Sequence, residues 1–342
     1  MACEPRNKKA RHAADDQVHS QPDVVSGVCY ICTEPGAPKL NCACRGGGTE
    51  FAHFECIAQF NISKKEQQNV SSFERIRQWK CCHICLQEFN GEDVLALSGL
   101  WMKNCKESFS GPFDLPLLEA KCLRAEGKIL LGDFVCAEKI LIEVKVKIMQ
   151  SGLTFGPLWY SVMNRLSFCA MRLKKYEKSE KIEREMLQTF QAKCPEEKDK
   201  IRNIKHNIAH IQFKKGDNEV ALKSVNEILE EIEEKNVQGE PRIKAKILKN
   251  LILVDMGDFT SAIDSMRSEI ANVILVFGEQ HRQVEYQRFL LARGLFLAHR
   301  YQECAAVATE ALEANKKNPG CLRQYDKQLE KFVEKSKTMS KV

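Results

Sequence analysis

The stretch Gly257-Asp-Phe-Thr-Ser-Ala262 returns in altered form along the chain and decides the fold of its larger part. The copies advance by steps of 42, 42, 41 and 42 residues, measured between their last residues, which are small or short side chains. A fixed period of this length is typical of a repeat protein, in which each unit packs only against its neighbours. The last residues of the five copies are Ala137, Ser179, Ala221, Ala262 and Cys304.

A second row of small or short side chains precedes the first row by twelve residues, at Ala125, Ser167, Ala209, Asn250 and Ala292. Two antiparallel helices pack closely only where one residue on each is small, and a turn that often contains glycine joins them. The pattern therefore predicts an all-helical array of five helix pairs over roughly residues 115–315. A last helix at about Leu322 to Lys335 is expected to cover the apolar edge of the final pair.

Four of the five copies also carry an aromatic residue three positions before the last residue, as Phe259 does. This pattern resembles the tetratricopeptide repeat, and its long step is similar to the version found in kinesin light chains. Phe155-Gly-Pro157 and Phe277-Gly-Glu-Gln-His281 between the copies resemble that version too. The resemblance implies a right-handed solenoid over residues 115–335, with five repeats and a capping helix. Lys174, Asn218 and His299 depart from the glycine or aromatic residue of the pattern.

Eight potential zinc ligands lie near the N-terminus in the order C-x-x-C, C-x-C, H-x-x-C and C-x-x-C. Ligands two or three residues apart let one tight turn present a pair, and a second pair completes a tetrahedron. The spacing predicts two structural zinc ions, because every position of each site is filled and none is left for a reacting water. The eight residues are Cys29, Cys32, Cys42, Cys44, His53, Cys56, Cys82 and Cys85.

The sequences R-G-G-G-T-E-F-A-H-F-E-C, from Arg45 to Cys56, and C-C-H-I-C-L-Q-E-F, from Cys81 to Phe89, resemble the RING-CH (RING-variant) zinc finger family. A PHD finger stays open as an alternative, because Trp79 lies three residues before a ligand as in that family. The RING-CH resemblance implies a small two-zinc cross-brace α+β domain over residues 27–90, which we call the zinc module. It assigns Cys29, Cys32, His53 and Cys56 to one ion and Cys42, Cys44, Cys82 and Cys85 to the other.

What this resemblance implies about function is a ubiquitin ligase with no catalytic residue of its own. The zinc module would hold a charged ubiquitin-conjugating enzyme so that a lysine of a protein substrate, bound by the solenoid, attacks the thioester. Leu86 stands where many active members have Arg or Lys, and the gap between Cys44 and His53 is one residue longer than usual. A non-catalytic scaffold for protein–protein interaction is therefore the alternative. The resemblance places the conjugating enzyme on Ile31, Phe60, His83 and Ile84.

The remaining composition argues against several other functions. The net charge is only +6, with both signs interspersed, so nucleic-acid binding gains no support. No run of 18 apolar residues occurs, and a membrane span is not expected. The paired cysteine spacings and the lack of a signal peptide indicate a reduced, cytoplasmic protein, or a nuclear one through the basic stretch 6–11. Residues 1–26 and 336–342 are expected to be tails, and residues 91–114 a connecting helix and linker.

The first helix of each repeat is expected to line a groove that receives an extended peptide or a helix of a substrate. Basic residues dominate that groove, which predicts a preference for acidic or carboxylate-terminated ligands. The alternative is that several of these long side chains point to solvent. His206 and His210, one turn apart, could also form a metal pair, but no H-E-x-x-H motif accompanies them. The groove positions are Asn164, Arg165, Arg172, His206, His210, Lys246, Lys249, Arg288 and Arg293.

Overall fold

The computed structural model of the protein describes residues 26–40, 51–63, 71–108, 114–152, 155–237, 239–279, 281–317 and 325–340. Cys42, Cys44 and the predicted N-terminal tail up to residue 25 lie outside the described residues. The chain divides into two compact units, Met1–Leu131 and Gly132–Val342. Among the described residues there is no helix whose length and apolar character would let it cross a bilayer.

The first unit combines two short strands with four helices among its described residues. Ser71 forms a capping box with Glu74, because its hydroxyl accepts from the Glu74 N–H while the Glu74 carboxylate accepts from the Ser71 N–H. This box fixes the start of the second helix, which leads directly to the last cysteine pair. The elements are β1 (Ser26–Gly27), β2 (Ala37–Pro38), α1 (Phe54–Ser63), α2 (Ser72–Lys80), α3 (Gly91–Ser108) and α4 (Leu115–Leu130), and β1 pairs with β2 antiparallel.

Aromatic stacking and a buried ion pair hold the helices of the first unit together. The rings of Trp79 on α2 and Trp101 on α3 stack with centroids 4.8 Å apart and planes 3° from parallel. Arg75 donates two hydrogen bonds of 2.8 and 2.7 Å to the carboxylate of Glu119, which is fully buried. Helices α3 and α4 approach closely at Gly127, since a Cβ there would lie 2.9 Å from the Leu95 side chain. Trp101 is therefore a core residue of this unit.

The second unit is all-helical among its described residues. The helices are α5 (Phe134–Gln150), α6 (Pro157–Arg172), α7 (Tyr176–Lys193), α8 (Lys198–Lys215), α9 (Asn218–Glu234), α10 (Glu240–Asp255), α11 (Phe259–Phe277), α12 (Arg282–Leu297), α13 (Tyr301–Lys317) and α14 (Asp326–Met339). Both helices of each predicted pair are present. Four pairs, from α6–α7 to α12–α13, lie wholly in this unit, while α4 and α5 fall in different units.

In the four pairs that lie within the second unit, the two rows of small side chains lie where the helices of a pair pack together. All ten residues are buried, and none is more than 3% exposed. In the α6–α7 pair, the hydroxyls of Ser167 and Ser179 are 2.9 Å apart, and Ser179 also donates to the Ser167 carbonyl oxygen. In the α12–α13 pair, the Cys304 thiol donates to the Ala292 carbonyl oxygen at 3.2 Å. Side chains that touch the opposite backbone leave no room for larger residues, which explains the period.

The turn inside each pair has one residue in the left-handed region. Its φ is 78° at Gly132, 58° at Lys174, 92° at Gly216, 83° at Gly257 and 58° at His299. Such a residue ends the first helix and lets the N–H of the following residue donate a hydrogen bond to a carbonyl of the last helical turn. After Gly257, for example, the Asp258 N–H donates to the Leu253 carbonyl oxygen at 2.9 Å. The two non-glycine copies keep the turn at the cost of backbone strain.

Helix α14 covers the edge of the last pair. It begins at Asp326 and ends at Met339, a few residues later than predicted, and residues 318–324 before it lie outside the described part of the chain. Its Leu329 is fully buried. The Phe289 and Tyr325 rings stack with centroids 4.5 Å apart, and Phe332 lies 5.3 Å from Phe296. The apolar edge that a repeat array would otherwise expose is thus closed by aromatic packing.

Candidate metal centre and binding surfaces

Four of the predicted ligands converge in the first unit. The ligand atoms of Cys29, Cys32, His53 and Cys56 all lie within 4.8 Å of one another, and we call these residues the four-ligand cluster. The His53 Nδ1 atom is 3.4 Å from the Cys32 Sγ and 3.7 Å from the Cys56 Sγ. Zinc–sulfur and zinc–nitrogen bonds of about 2.3 and 2.0 Å at tetrahedral angles give edges of about 3.6 Å. The cluster could therefore hold one metal ion.

Local backbone structure brings these ligands together. The Thr33 N–H donates to the Cys29 carbonyl oxygen at 2.9 Å, and the Cys29 N–H donates to the Glu34 carbonyl oxygen at 2.9 Å. Thr33 has a φ of 63°, which turns the chain so that Cys29 and Cys32 face the same side. The other two ligands lie at the start of α1, where His53 directly precedes the helix and Cys56 is in its first turn.

The last cysteine pair lies in a turn with the same backbone hydrogen bonds as the turn that holds Cys29 and Cys32. The Leu86 N–H donates to the Cys82 carbonyl oxygen at 3.0 Å, and the Cys82 N–H donates to the Gln87 carbonyl oxygen at 2.8 Å. Leu86 has a φ of 58°, close to that of Thr33. Residues 82–87 thus repeat, position by position, the turn that presents Cys29 and Cys32. Cys85 also belongs to this turn, while the predicted companions Cys42 and Cys44 are outside the described residues.

Electrostatics make the four-ligand cluster unstable as a set of free thiolates. Burial raises the pKa of Cys56 to about 12, and the neighbouring Cys32 and Cys29 add to this effect. Burial also opposes ionisation of Cys29, but hydrogen bonds from the backbone of Cys32, His53 and Ile31 prevail and lower its pKa to about 6. A divalent cation would remove the repulsion, because metal ligation requires the deprotonated thiols.

Three of the four residues predicted to dock a conjugating enzyme are exposed, while His83 is half-buried. Ile31, Phe60 and Ile84 are 37%, 36% and 50% exposed. Phe60 on α1 meets His83 from the last cysteine turn edge to face, with ring centroids 4.5 Å apart. Leu86, which the sequence marks only by the lack of a basic side chain, is a further exposed apolar residue beside this surface, at 63% exposure.

All nine predicted groove residues lie on the first helices of the pairs, namely α6, α8, α10 and α12. Three of the arginines are engaged within the protein. Arg165 donates to the Ser161 carbonyl oxygen at 3.2 Å, and the Arg172 guanidinium lies 5.1 Å from the centre of the Phe134 ring. Arg288 forms ion pairs with Glu279 and Glu310. These side chains are less available to a ligand than the sequence suggested.

The basic residues of α10 are differently placed. Lys246 and Lys249 are half-buried, and no carboxylate of the described residues forms an ion pair with either amine. On α8, the His206 Nε2 atom lies 3.3 Å from the Lys244 carbonyl oxygen, which belongs to α10. Burial lowers the pKa of His210 to about 4, helped by Lys214 and His206, and burial also lowers the pKa of His206. Both imidazoles are therefore neutral at neutral pH.

A buried carboxyl group in the α6–α7–α8 region escaped sequence reasoning. Glu183 is 1% exposed and occupies the position that Leu141, Val225, Met266 and Ala308 fill in the other copies. Its Oε1 accepts from Asn207 at 3.2 Å, while no described residue hydrogen-bonds to its Oε2. Burial raises its pKa to about 7, although hydrogen bonds from Ser167 and Asn207 act in the opposite direction. The sequence signal for this buried group is that a Glu stands at a repeat position where the other four copies have apolar residues.

Comparison with known proteins places the fold. No protein-family model matches the sequence, and no curated protein matches it. The structure of RapI without ligand is similar with a TM-score of 0.55 and 12% identity, covering 83% of this chain and 72% of RapI. NprR in complex with its cognate peptide NprX gives a TM-score of 0.52 and 14% identity, covering 82% of this chain and 78% of NprR.

A third similar structure is a kinesin-light-chain-like protein of Podosopora anserina with nearly identical TPR-like repeats. Its TM-score is 0.50 at 13% identity, and the match covers 58% of this chain and 95% of that protein. Identities this low indicate shared architecture rather than shared activity. The chain has a tetratricopeptide-like helical repeat fold, which confirms the prediction made from the 42-residue period.

Proposed function

We propose that the protein is an interaction scaffold whose helical repeats bind a peptide or protein segment and whose zinc module binds a second partner. The observation that carries the proposal is the array of helix pairs, whose first helices carry all nine predicted groove residues. The similar NprR structure holds a peptide. Repeat solenoids generally use the extended surface of stacked helices for binding, and no catalytic constellation is needed for it.

The ligand of the repeats is an acidic or carboxylate-terminated segment that contacts α8 and α10. Lys246 and Lys249 support this choice, because half-buried ammonium groups without ion-pair partners gain most from an incoming carboxylate. Arg165 and Arg288 would contribute less, since each is already engaged within the protein. His210, which is neutral, could offer one N–H, whereas the His206 Nε2 already faces the Lys244 carbonyl oxygen.

The test is to select ligands from a random peptide library on the full chain and to measure their affinities. Changing Lys246→Ala and Lys249→Ala together should weaken a selected ligand by about a hundredfold or more, since each lysine can supply a charge-assisted hydrogen bond of roughly 1.5–3 kcal/mol. Added salt should weaken it as well. The matched control is Lys223→Ala with Lys198→Ala, which removes the same charge from α9 and α8. A library that yields no acidic ligand, or ligands equally affected by both pairs, contradicts the proposal.

For the zinc module we propose two structural zinc ions. The four-ligand cluster supports the first, and the identical turn at residues 82–87 supports a second site with Cys42 and Cys44. Metal content of the purified chain should be about two equivalents, and Cys85→Ser should remove about one. Cys81→Ser is the control, because Cys81 is not one of the eight predicted ligands, and this variant should keep two equivalents. A chain that binds one zinc and is unaffected by Cys85→Ser excludes the second site.

A ubiquitin ligase is the second candidate, because three of the four side chains that the RING-CH resemblance assigns to conjugating-enzyme docking are exposed. Phe60 and His83 are in ring contact, and Ile31 and Ile84 are exposed. Ubiquitin-chain formation with a panel of conjugating enzymes tests this candidate. Ile31→Ala should reduce chain formation at unchanged zinc content, whereas the control Phe73→Ala, which changes an exposed residue of α2, should not. If the wild-type protein is inactive with every enzyme of the panel, the ligase function is excluded and only the scaffold function remains.

A further inference from the structure

Helix α5 carries a row of apolar side chains that point away from the core. Val135, Ile142, Val146 and Met149 are 50%, 41%, 46% and 54% exposed, and we call these four residues the α5 stripe. At about 100° per residue, they lie within roughly 60° of one another around the helix axis. The buried apolar residues of α5 lie on the opposite side of the helix. The stripe is therefore a second apolar face on a helix whose first apolar face is already in the core.

The corresponding positions of the other second helices are mostly polar. They lie two residues before the small residue of the repeat and five, nine and twelve residues after it. All four positions are charged or polar in α7, α9 and α13, and α11 has apolar residues at only two of them. The packing of the repeats therefore does not require apolar side chains at these positions. A contiguous apolar surface confined to one copy indicates a contact that the other copies do not make.

The chain outside the described residues offers little that could cover the stripe. Its longest segment, residues 1–25, contains no Leu, Ile, Phe, Tyr or Trp, and its larger apolar side chains are three valines and one methionine. A second copy of the chain, in contrast, brings an apolar stripe of the same length. Contacts between identical chains commonly use the same surface on both, provided that this surface is complementary to itself.

The charges beside the α5 stripe meet this condition. Lys139, Glu143 and Lys147 are exposed along one flank of the stripe. The other flank faces α7, where the Lys145 amine forms an ion pair of 3.2 Å with the Glu185 carboxylate. One flank thus has its charges paired within the chain, while the other presents both signs to solvent.

We propose that the α5 stripe is the contact of a homodimer, in which α5 of a second copy packs antiparallel on it. Twofold symmetry then brings the same flank of the two helices together. With the axis near Val146, Ile142 of one copy lies opposite Met149 of the other. Glu143 lies opposite Lys147 in both directions, so two attractive pairs border the apolar contact. A contact made by one helix of 17 residues in each copy lies at the low end of interface sizes, and a dissociation constant in the micromolar range is expected.

Sedimentation velocity of the full zinc-loaded chain tests the proposal at concentrations from about 1 to 300 μM, which bracket that constant. The wild type should shift from the mass of one chain to that of two. Val146→Glu should weaken the dimer by about a hundredfold or more, because it places two like charges beside the twofold axis within an apolar contact. The matched control is Gln188→Glu, which adds the same charge at the corresponding exposed position of α7 and should leave dimerisation unchanged.

A second measurement leaves the apolar residues untouched. Glu143→Lys and Lys147→Glu should each weaken the homodimer by about threefold to tenfold, because each change turns both attractive pairs into repulsive ones. An equimolar mixture of the two variants, one of them fluorescently labelled, should form a heterodimer of about wild-type affinity, since every pair again joins opposite charges.

A wild-type chain that stays monomeric up to the highest concentration overturns the proposal. A dimer that is as stable with Val146→Glu as with Gln188→Glu places the contact on another surface and overturns it equally. If Val146→Glu abolishes the dimer but the mixed charge variants do not recover it, the contact is at the stripe and the antiparallel arrangement is wrong.

Discussion

Replacing the buried carboxyl of Glu183 with an amide should stabilise the second unit, and the gain should depend on pH. In Glu183→Gln the side chain keeps its size and the carbonyl oxygen that accepts from Asn207, but it no longer ionises. The pKa of Glu183 is about 7 against an ordinary value of 4.5. The native state therefore holds the proton more tightly than the unfolded chain, and wild-type stability falls as pH rises from 4.5 to 7 and levels off above 7.

The magnitude follows from that difference in pKa. At 1.36 kcal/mol per pKa unit, the wild type gives up about 3 kcal/mol of unfolding free energy at pH 8 and about 1 kcal/mol near pH 5.5. Glu183→Gln should recover these amounts, which raises the melting temperature at pH 8 by about 6–12 °C for a unit of this size. Tyr160, whose pKa is raised by burial and by Glu183, stays neutral over this range and does not interfere.

Thermal unfolding followed by circular dichroism at both pH values measures the effect, and hydrogen exchange of α7 and α8 locates it. The control is Glu177→Gln, which removes the same charge from an exposed position of the same helix and should change stability little at either pH. A gain that is equal at pH 5.5 and pH 8, or a Glu183→Gln protein no more stable than the control at pH 8, would refute the reasoning.

Three further predictions concern stability. Lys174→Gly should raise the free energy of unfolding, measured by urea denaturation, by about 0.5–1 kcal/mol, because Lys174 is exposed and has a φ of 58°, where glycine is favoured. Gly216→Ala, at a φ of 92°, should lower the free energy of unfolding. Ser179→Leu should destabilise the second unit by about 1–3 kcal/mol or more, since its hydroxyl touches the Ser167 backbone, and zinc content should not change. Glu119→Ala should destabilise the first unit by about 3 kcal/mol, measured as earlier zinc release on heating, because it leaves the Arg75 guanidinium without its buried partner.

The 42-residue period predicted the repeat fold because the packing requirement behind the period is local in sequence. Each pair needs one small residue on each helix and a left-handed turn between them, so the 42-residue step was visible without coordinates. Helix bounds were less well determined, as α14 shows by beginning at Asp326 rather than near Leu322. Spacing predicted the ligand pairs, and the RING-CH resemblance implied that Cys29, Cys32, His53 and Cys56 share one ion; the structure brings these four together, because a tight turn and a helix start fix where each pair points.

The sequence by itself determined the residue types, and hence that Lys246, Arg165 and Arg288 are cations and that Glu183 is polar. Only the tertiary structure decided which of these groups have partners. Glu279 from the segment before α12 and Glu310 from α13 both pair with Arg288, whereas no described carboxylate pairs with Lys246. Burial of Glu183 among apolar residues likewise depends on which helices pack together. Whether a polar side chain is paired and how far it is removed from water depend on all of its neighbours in the folded chain, many of which are distant in sequence, so a sequence pattern does not show either property.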